Sequence, residues 1–583
     1  MEVSYKYGKI IIDGYFYEEI PYDVATDRLG VRFNGQGGLS KYLVIADGKE
    51  YSPRSFFSLY KDGEAVGAYT VKHTECVGRV QEITLSGDDF RIYIKQFVVK
   101  DKDAIFNEIT ISSPEKSEFV LHYGMSTLFY SSALCCSEEC SYVDENAYFE
   151  ITQTVSGEKS IRVVYSYNQS IDYCKALLDD FGAFKEKAYG EISSVEIPSS
   201  VTSEMEKALY LSALFCAVEN FKVQGDFKAF AAGCNYVDPL RTYFRDSYWT
   251  SLAVYRYDVS LVKSQIVTLA KGIGEDGSCP SAVKGDFSAF WNDHYDSPAF
   301  FVMMTYDYVN HTGNIGFLNE KINGNTVINI CLSVMDKYSE HTDESGLLYK
   351  EGKYNKRDWA DEVNRNGYVT YNEALYYRAL CCMNKLCSAV GLNGRDYKLK
   401  AEKVKDAINS ILWNEEKGYY VNYKDEDFVE DNLSVDTITT YLFGIADERR
   451  AKRLLDAMER LLETKNNPLQ RAGDYGIMCV YPFYKRISAT YFKSSQDYEY
   501  HNGGNWPYWS AMYAYAKYLA GRDYTYALTS WFTYNAERGV FTPIEYFSPC
   551  RRVGSTLQAW SAASAFVFDF IGKKSFFAPT YLR

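Results

Sequence analysis

The apolar pattern of this chain changes period at about residue 201, and that change divides it into two kinds of structure. Up to about residue 185 the apolar segments are short, β-branched and aromatic, as in RIYIKQFVVK (91–100), FVLHYGM (119–125) and IRVVYSY (161–167). Turn signals such as Asp13-Gly14 and Ser86-Gly87-Asp88 separate them, which predicts antiparallel strands packed as a sandwich. A polar stretch at 190–200 follows. Beyond it Ala208, Leu211, Leu214, Phe215 and Val218 fall on one face of a helix, with Ser203 and Glu206 at capping-box spacing ahead of them. We therefore expect a β-sandwich over 1–190 and a mainly α domain over 191–583.

Helical patterns cover about 201–221, 247–271, 295–310, 322–339, 370–390, 395–413, 435–444, 448–463, 505–520, 523–537 and 556–571. Twelve helices in two concentric rings, an (α/α)6 barrel, account for this number if one helix is missed. A repeat solenoid competes, but no fixed sequence period supports it. The junctions are the informative part. AGCNYVDPLRTYFRDSYW, CPSAVKGDFSAFWNDHYDSP, KRDWADEVNRNGYVTYNE and YHNGGNWP gather Trp, Tyr, Asp, Asn and Arg where a polar cleft would need them.

The chain carries 54 Tyr and 34 Phe, suited both to a core and to a cleft that stacks on sugar rings. A formal charge of -14 disfavours nucleic acid, anionic membranes and highly phosphorylated substrates, leaving a small neutral partner. The first residues lack the pattern of a secretion signal, and no apolar run spans a bilayer. The 14 cysteines, including Cys135, Cys136 and Cys140, read as thiols of a reducing, cytoplasmic compartment, with no second cysteine pair at zinc-finger spacing. Neither a phosphate loop nor a dinucleotide fingerprint occurs in a suitable setting, so no metal or cofactor is expected.

Four segments carry a resemblance. Arg241-Thr-Tyr-Phe-Arg245-Asp246-Ser-Tyr-Trp249 is the first, and Trp359-Ala-Asp361 followed by Asn372-Glu373-Ala-Leu the second. Tyr500-His501-Asn-Gly-Gly-Asn-Trp506-Pro and Pro543-Ile-Glu545 with Gly554 and Gln558-Ala-Trp560-Ser complete the set. From about residue 230 the chain resembles the six-hairpin glycosidases, most of all the glycogen-debranching and processing α-glucosidase group, with trehalase- and neutral-invertase-like motifs. The resemblance implies that Asp361 is the general acid and Glu545 the general base. It also implies that Asp246 accepts hydrogen bonds from sugar hydroxyls, that Arg245 orients it or binds substrate, and that Glu373 positions substrate or the catalytic loop. His501 and Trp506 stand where they can contact sugar, and Gln558 and Trp560 where they pack against the Glu545 loop. In Trp291-Asn-Asp293-His294-Tyr-Asp296 the resemblance points to Asp296 as a sugar ligand, with Trp291 beside it and Asp286 a further candidate.

Structural roles compete at each position. Arg245 and Asp246 can hold a helix start, Asp296 can be a helix cap, His501 can hold a loop carbonyl, and Trp506 can stack only on neighbouring loops. Asp358 and Glu362 flank Asp361 closely enough that only the Trp-x-Asp motif selects among them. A tryptophan such as Trp359 against the acid would raise its pKa by excluding water.

The expected function is inverting hydrolysis of a short, neutral, α-linked gluco-oligosaccharide or glucoside, with Asp361 kept protonated and Glu545 ionised. A hydrolase of the same frame for another sugar, a phosphorylase, a lyase and a non-catalytic sugar-binding protein are the rivals.

Overall fold

The computed structural model describes residues 1–583 except 16–20, 36, 47, 52–55, 67–70, 125–132, 139–140, 145–147, 292–293, 353–356, 487–489, 551–552 and 578–583. Met125, Cys140 and Asp293 lie outside the described residues. The chain forms two compact units. One comprises Met1–Val223, Gly233–Leu240 and Asn535–Pro543, the other Gln224–Ala232, Arg241–Tyr534 and Ile544–Arg583.

The first unit is built on antiparallel sheets. Its long central pair, Ile105–Gly124 against Tyr148–Ser166, slips register between Ser113 and Ser117, where Pro114 has no N–H to give the ladder. Strand Arg91–Val98 alternates between covered and open positions along its first half, as a strand with one face on a core must. A four-stranded sheet, Tyr22–Ala25, Leu29–Phe33, Leu39–Val44 and Lys49–Tyr51, is tied to the larger one by side chains. Gln96 donates to the Asn34 carbonyl (3.3 Å) and Asn107 to the Gly37 carbonyl (3.1 Å).

Two helices replace the strand structure expected up to residue 185: α1 (Ile171–Asp179), capped by Ser170, and α2 (Phe181–Ser193). Phe181 packs on Phe97 and Phe106 at centroid distances of 5.6 and 5.7 Å, so these helices cover one sheet face. Helix α3 (Glu204–Asn220) starts with the expected capping box. It buries far more than one stripe, because Leu209, Tyr210 and Cys216 are covered too. Glu219 accepts from the Ala25 N–H (2.9 Å) and Lys222 donates to the Thr26 carbonyl (2.7 Å), which keeps α3 with the sheets.

The second unit is helical: α4 (Phe244–Ser251), α5 (Val259–Lys271), α6 (Ser297–Thr312), α7 (Val327–Ser339), α8 (Thr370–Ala389), α9 (Arg395–Ile411), α10 (Thr439–Leu442), α11 (Glu448–Leu461), α12 (Pro507–Leu519), α13 (Thr525–Ala536) and α14 (Ala563–Phe570). The stretch read as one helix over 247–271 is α4 and α5, separated by a 3-10 turn and restarted by the Asp258 cap. Burial alternates along the chain. Helices α4, α6, α12 and α14 are covered on all sides, and α8 nearly so, whereas α5, α7, α9 and α11 bury a single stripe. An all-round apolar helix belongs inside and a striped one outside, so the unit has an inner and an outer layer. Among the described residues no helix is long and apolar enough to cross a membrane.

Short strands feed the inner layer. Arg241–Tyr243 runs into α4, Tyr368–Val369 into α8, and Leu433–Ser434 into the 3-10 turn Val435–Ile438 ahead of α10. Each presents the first turn of a helix, and its polar side chains, at one rim.

Candidate active site

The Trp-Ala-Asp segment is fastened from behind by a buried charge network. Arg365 donates to Asp358 (2.7 Å), Asp436 (2.7 Å) and Asn422 (3.2 Å), while Lys350 donates to the other oxygen of Asp358. The Trp359 indole N–H donates to Asp436 (2.6 Å) and the Ala360 N–H to Asp358 (2.9 Å). Burial alone would raise the Asp358 pKa, but Arg365 and Lys350 outweigh it and hold the carboxyl well below the ordinary range. Asp358 is therefore a fixed anion and a poor proton donor. Glu373 lies at the start of α8, wholly buried, and accepts from the Leu348 N–H (3.0 Å), which places the turn carrying Lys350. Burial pushes its carboxyl far up from the ordinary range, which favours its neutral form.

Among the described residues no cation pairs with Asp361 in this way. Its carboxyl is surrounded deeply by protein while keeping some exposure, and this desolvation pushes its pKa up to about 7 against the opposing charges of Arg245 and Lys493. Glu362 and Glu545 push it up further, so Glu545 lies within electrostatic reach of Asp361.

Glu545 sits on a hairpin-like turn in which Ile544 pairs with Thr556 and Phe547 with Val553. Its Oε2 accepts from the Ser555 N–H (3.2 Å), and Tyr500 Oη lies 3.4 Å from Oε1. Burial raises its pKa too, opposed by Ser555, Lys493, Tyr500 and Arg245. The two carboxyls thus shift in the same direction, rather than Glu545 keeping its ordinary value, because both are desolvated. Gly554 leaves the space for this side chain: a Cβ there would stand 2.7 Å from Glu545 Oε2.

Across the site, Asp296 accepts from His294 Nδ1–H (2.6 Å), Arg245 (3.3 Å) and Tyr371 (3.2 Å). It makes no side-chain cap bond to α6, so its buried carboxylate serves this network instead of the helix start. Burial would raise its pKa, but His294 and Arg245 hold it below the usual range. Asp246, in the first turn of α4, is pushed up to about 6 by burial, against the charge of Arg245. The Gln558 amide lies 3.5 Å from it and Arg245 3.6 Å.

The aromatic residues form a wall. Trp506 is stacked between His501 (4.8 Å) and Tyr546 (5.3 Å), and its N–H donates to the Tyr500 carbonyl (3.1 Å), so its faces are already covered. Trp560 stacks on Tyr508 (4.6 Å), with the Arg245 guanidinium 5.9 Å above its ring. His501 is buried and neutral, and its Nδ1 accepts from the Glu362 N–H (3.4 Å), which leaves the proton on Nε2. The turn that holds it uses Tyr500 and Gly503 at positive φ, 46° and 113°. Trp291 stands apart: it is half exposed, with Arg357 5.8 Å over its ring. Asp286 is exposed and only holds its own turn through Ser288.

Several buried polar atoms here have no hydrogen-bond partner among the described residues: Arg245 Nε, Asp246 Oδ2, His501 Nε2, Tyr508 Oη and Trp560 Nε1. An unsatisfied buried group costs about 1–3 kcal/mol. Their convergence on one site is what a ligand rich in hydroxyls would relieve, since a hydroxyl both donates and accepts.

Sequence reasoning missed Lys350, Arg365, Asp436, Tyr371 and Lys493. Arg365 and Tyr371 lay inside the quoted 356–373 segment without being singled out, and Tyr500 lay inside its own motif, where its positive φ has no signature in a tyrosine.

Comparison with known proteins bears on the fold and the family. No curated protein matches the sequence. Among solved structures the chain is similar to a bacterial glucoamylase complexed with acarbose, at TM-score 0.63 and 12% identity over 98% of this chain and 97% of that one. A rhamnosidase from Klebsiella oxytoca with rhamnose bound matches at TM-score 0.47 and 13% identity, over 84% and 87%. The fold is thus glucoamylase-like, with an N-terminal unit rich in antiparallel sheet. The amylo-alpha-1,6-glucosidase family model matches residues 250–566, which include every carboxylate of the site except Asp246. A match over more than half of the sequence establishes that this chain belongs to the amylo-alpha-1,6-glucosidase family, a glycoside hydrolase family.

Proposed function

We propose that the protein is an inverting glycosidase that releases glucose units from a short neutral α-linked gluco-oligosaccharide, with Asp361 as general acid and Glu545 as general base. The observation that carries this reading is the pairing of a carboxyl pushed up to about 7 with a second carboxylate in electrostatic reach of it. Protonated Asp361 gives its proton to the glycosidic oxygen, while Glu545 takes a proton from water attacking the opposite face of the anomeric carbon. Arg245, Asp246, Asp296 and His501 hold the hydroxyls of the ring being cleaved. Trp359, Trp506, Gln558 and Trp560 shape the wall, and Glu373 sets the loop. The family description favours an α-1,6 bond, and the glucoamylase neighbour was solved with acarbose.

Catalysis is assigned to the 191–583 stretch as an (α/α)6 barrel, a reading supported by the inner–outer alternation of helices, with 1–190 as a companion sandwich. The free thiols of the described cysteines suit a cytoplasmic setting.

Proton NMR of the first product tests the stereochemistry with isomaltose and maltose as substrates. Release of β-glucose supports inversion, and α-glucose as first product rules it out. Glu545→Gln should abolish turnover while leaving sugar binding in place.

A further inference from the structure

Beside the two carboxylates lies a short turn that no step above uses. Phe492–Ser494 is a 3-10 turn entered from Tyr491. It is fastened to the catalytic loop: the Tyr491 N–H donates to the Glu362 carbonyl (2.9 Å), Val363 pairs with Thr490, and the Tyr491 hydroxyl donates to Asn364 (3.1 Å). The Lys493 ammonium lies 4.8 Å over the Tyr500 ring, and Tyr500 reaches Glu545 at 3.4 Å. The turn therefore borders the space between Asp361 and Glu545. Phe492 is 78% exposed, the most open large apolar side chain among the described residues. An exposed phenylalanine is ordinary on a surface; this one sits on a turn whose flanking residues, Tyr491 and Lys493, reach the loop carrying Asp361 and the Tyr500 ring next to Glu545.

We propose that the Tyr491–Phe492–Lys493 turn is the leaving-group platform of the site, with the Phe492 ring receiving the apolar face of the first sugar beyond the scissile bond. This rests on Asp361 as the acid. The acid protonates the oxygen that joins the two sugars, so the departing sugar lies on the side of the loop carrying the acid, and residue 362 of that loop anchors the turn. Arg245, Asp246 and Asp296 are each at most 8% exposed and suit the ring that is retained. The departing unit meets an open aromatic face at the mouth, where a product can leave.

The test compares substrates that differ only in the group that leaves. With α-D-glucosyl fluoride the leaving group is fluoride; with isomaltotriose and maltotriose it is a sugar. Phe492→Ala should lower the ratio of trisaccharide to fluoride kcat/KM about three- to tenfold, and Phe492→Trp should restore it. An unchanged ratio overturns the proposal. Equilibrium binding in the Asp361→Asn background separates the platform from the reaction assigned above. Weaker isomaltotriose binding by the Phe492→Ala double variant, with glucose binding unaffected, supports the platform even if the wild-type chain hydrolyses neither substrate, which would refute the hydrolase reading alone. Binding of both sugars that ignores Phe492 refutes the platform.

Discussion

Asp358 and Asp361 are three residues apart on one loop, and their surroundings drive them to opposite protonation states. Behind the loop, Asp358 meets two cations and a backbone N–H, and becomes a permanent anion. In front of it, Asp361 is desolvated with carboxylates nearby and no cation paired to it among the described residues, and it holds a proton near neutrality. Burial acts on both; the difference lies in what is buried with them. A paired charge makes a frame, and an unpaired one makes an acid.

The largest effect that can break this contrast is on turnover. Asp361→Asn should lower kcat about 10²- to 10⁴-fold with little loss of substrate affinity. If Asp358→Asn instead gave the greater loss at unchanged stability, the roles would be reversed. Asp358→Asn should show itself in thermal unfolding, because it leaves Lys350 without its carboxylate partner: breaking one side of a buried ion pair costs about 3–5 kcal/mol. Asp361→Asn should do the opposite. A carboxyl whose pKa is raised on folding contributes stability below its unfolded value near 4, and loses that contribution as pH rises through about 7. The amide removes this pH dependence, so the variant should be more stable than wild type at pH 8, by about 1–2 kcal/mol for a partly solvated carboxyl, and equal to it near pH 4.

Two smaller effects sharpen the comparison. Lys493 lowers the pKa of both Asp361 and Glu545. Wild-type kcat/KM should fall on the alkaline side as Asp361 loses its proton and on the acid side as Glu545 gains one. Lys493→Gln should move both limbs of that profile to higher pH by about half a unit; a profile that stays in place would remove Lys493 from the site's electrostatics. Smallest of all, Glu373→Gln should alter melting by less than about 1 kcal/mol, because burial favours the neutral carboxyl and the amide can still accept from Leu348. A large destabilisation would mean that Glu373 carries charge.

The sequence made the front of the loop legible and hid its back. Asp361, Glu545, His501 and Trp560 stand in motifs that resemble those of the six-hairpin glycosidases, and the structure brings them together. Asp436 lies in Ser-Val-Asp-Thr-Ile, which reads as an ordinary helix start; only the fold carries it to Trp359 and Arg365, 71 to 77 residues away. Lys350 stands in a polar stretch that looks solvated, and nothing local announces an ammonium with no exposure. Helices α1 and α2 were hidden for a different reason. Their signals, Ser170 as a cap and Cys174, Leu177 and Phe181 at helical intervals, follow directly on a strand of similar composition. Trp291 was grouped with the sugar ligands by its place in the chain, and its half-exposed ring is the residue least tied to the others.

Gly554 has an implication for control of this site by mutation. Its missing side chain is the room in which the Glu545 carboxylate rests, so Gly554→Ala wedges a methyl group against the base while every titratable residue remains. Such a chain would keep its full complement of chemistry and misaim one oxygen, a way of silencing the protein that no inventory of its charged residues would reveal.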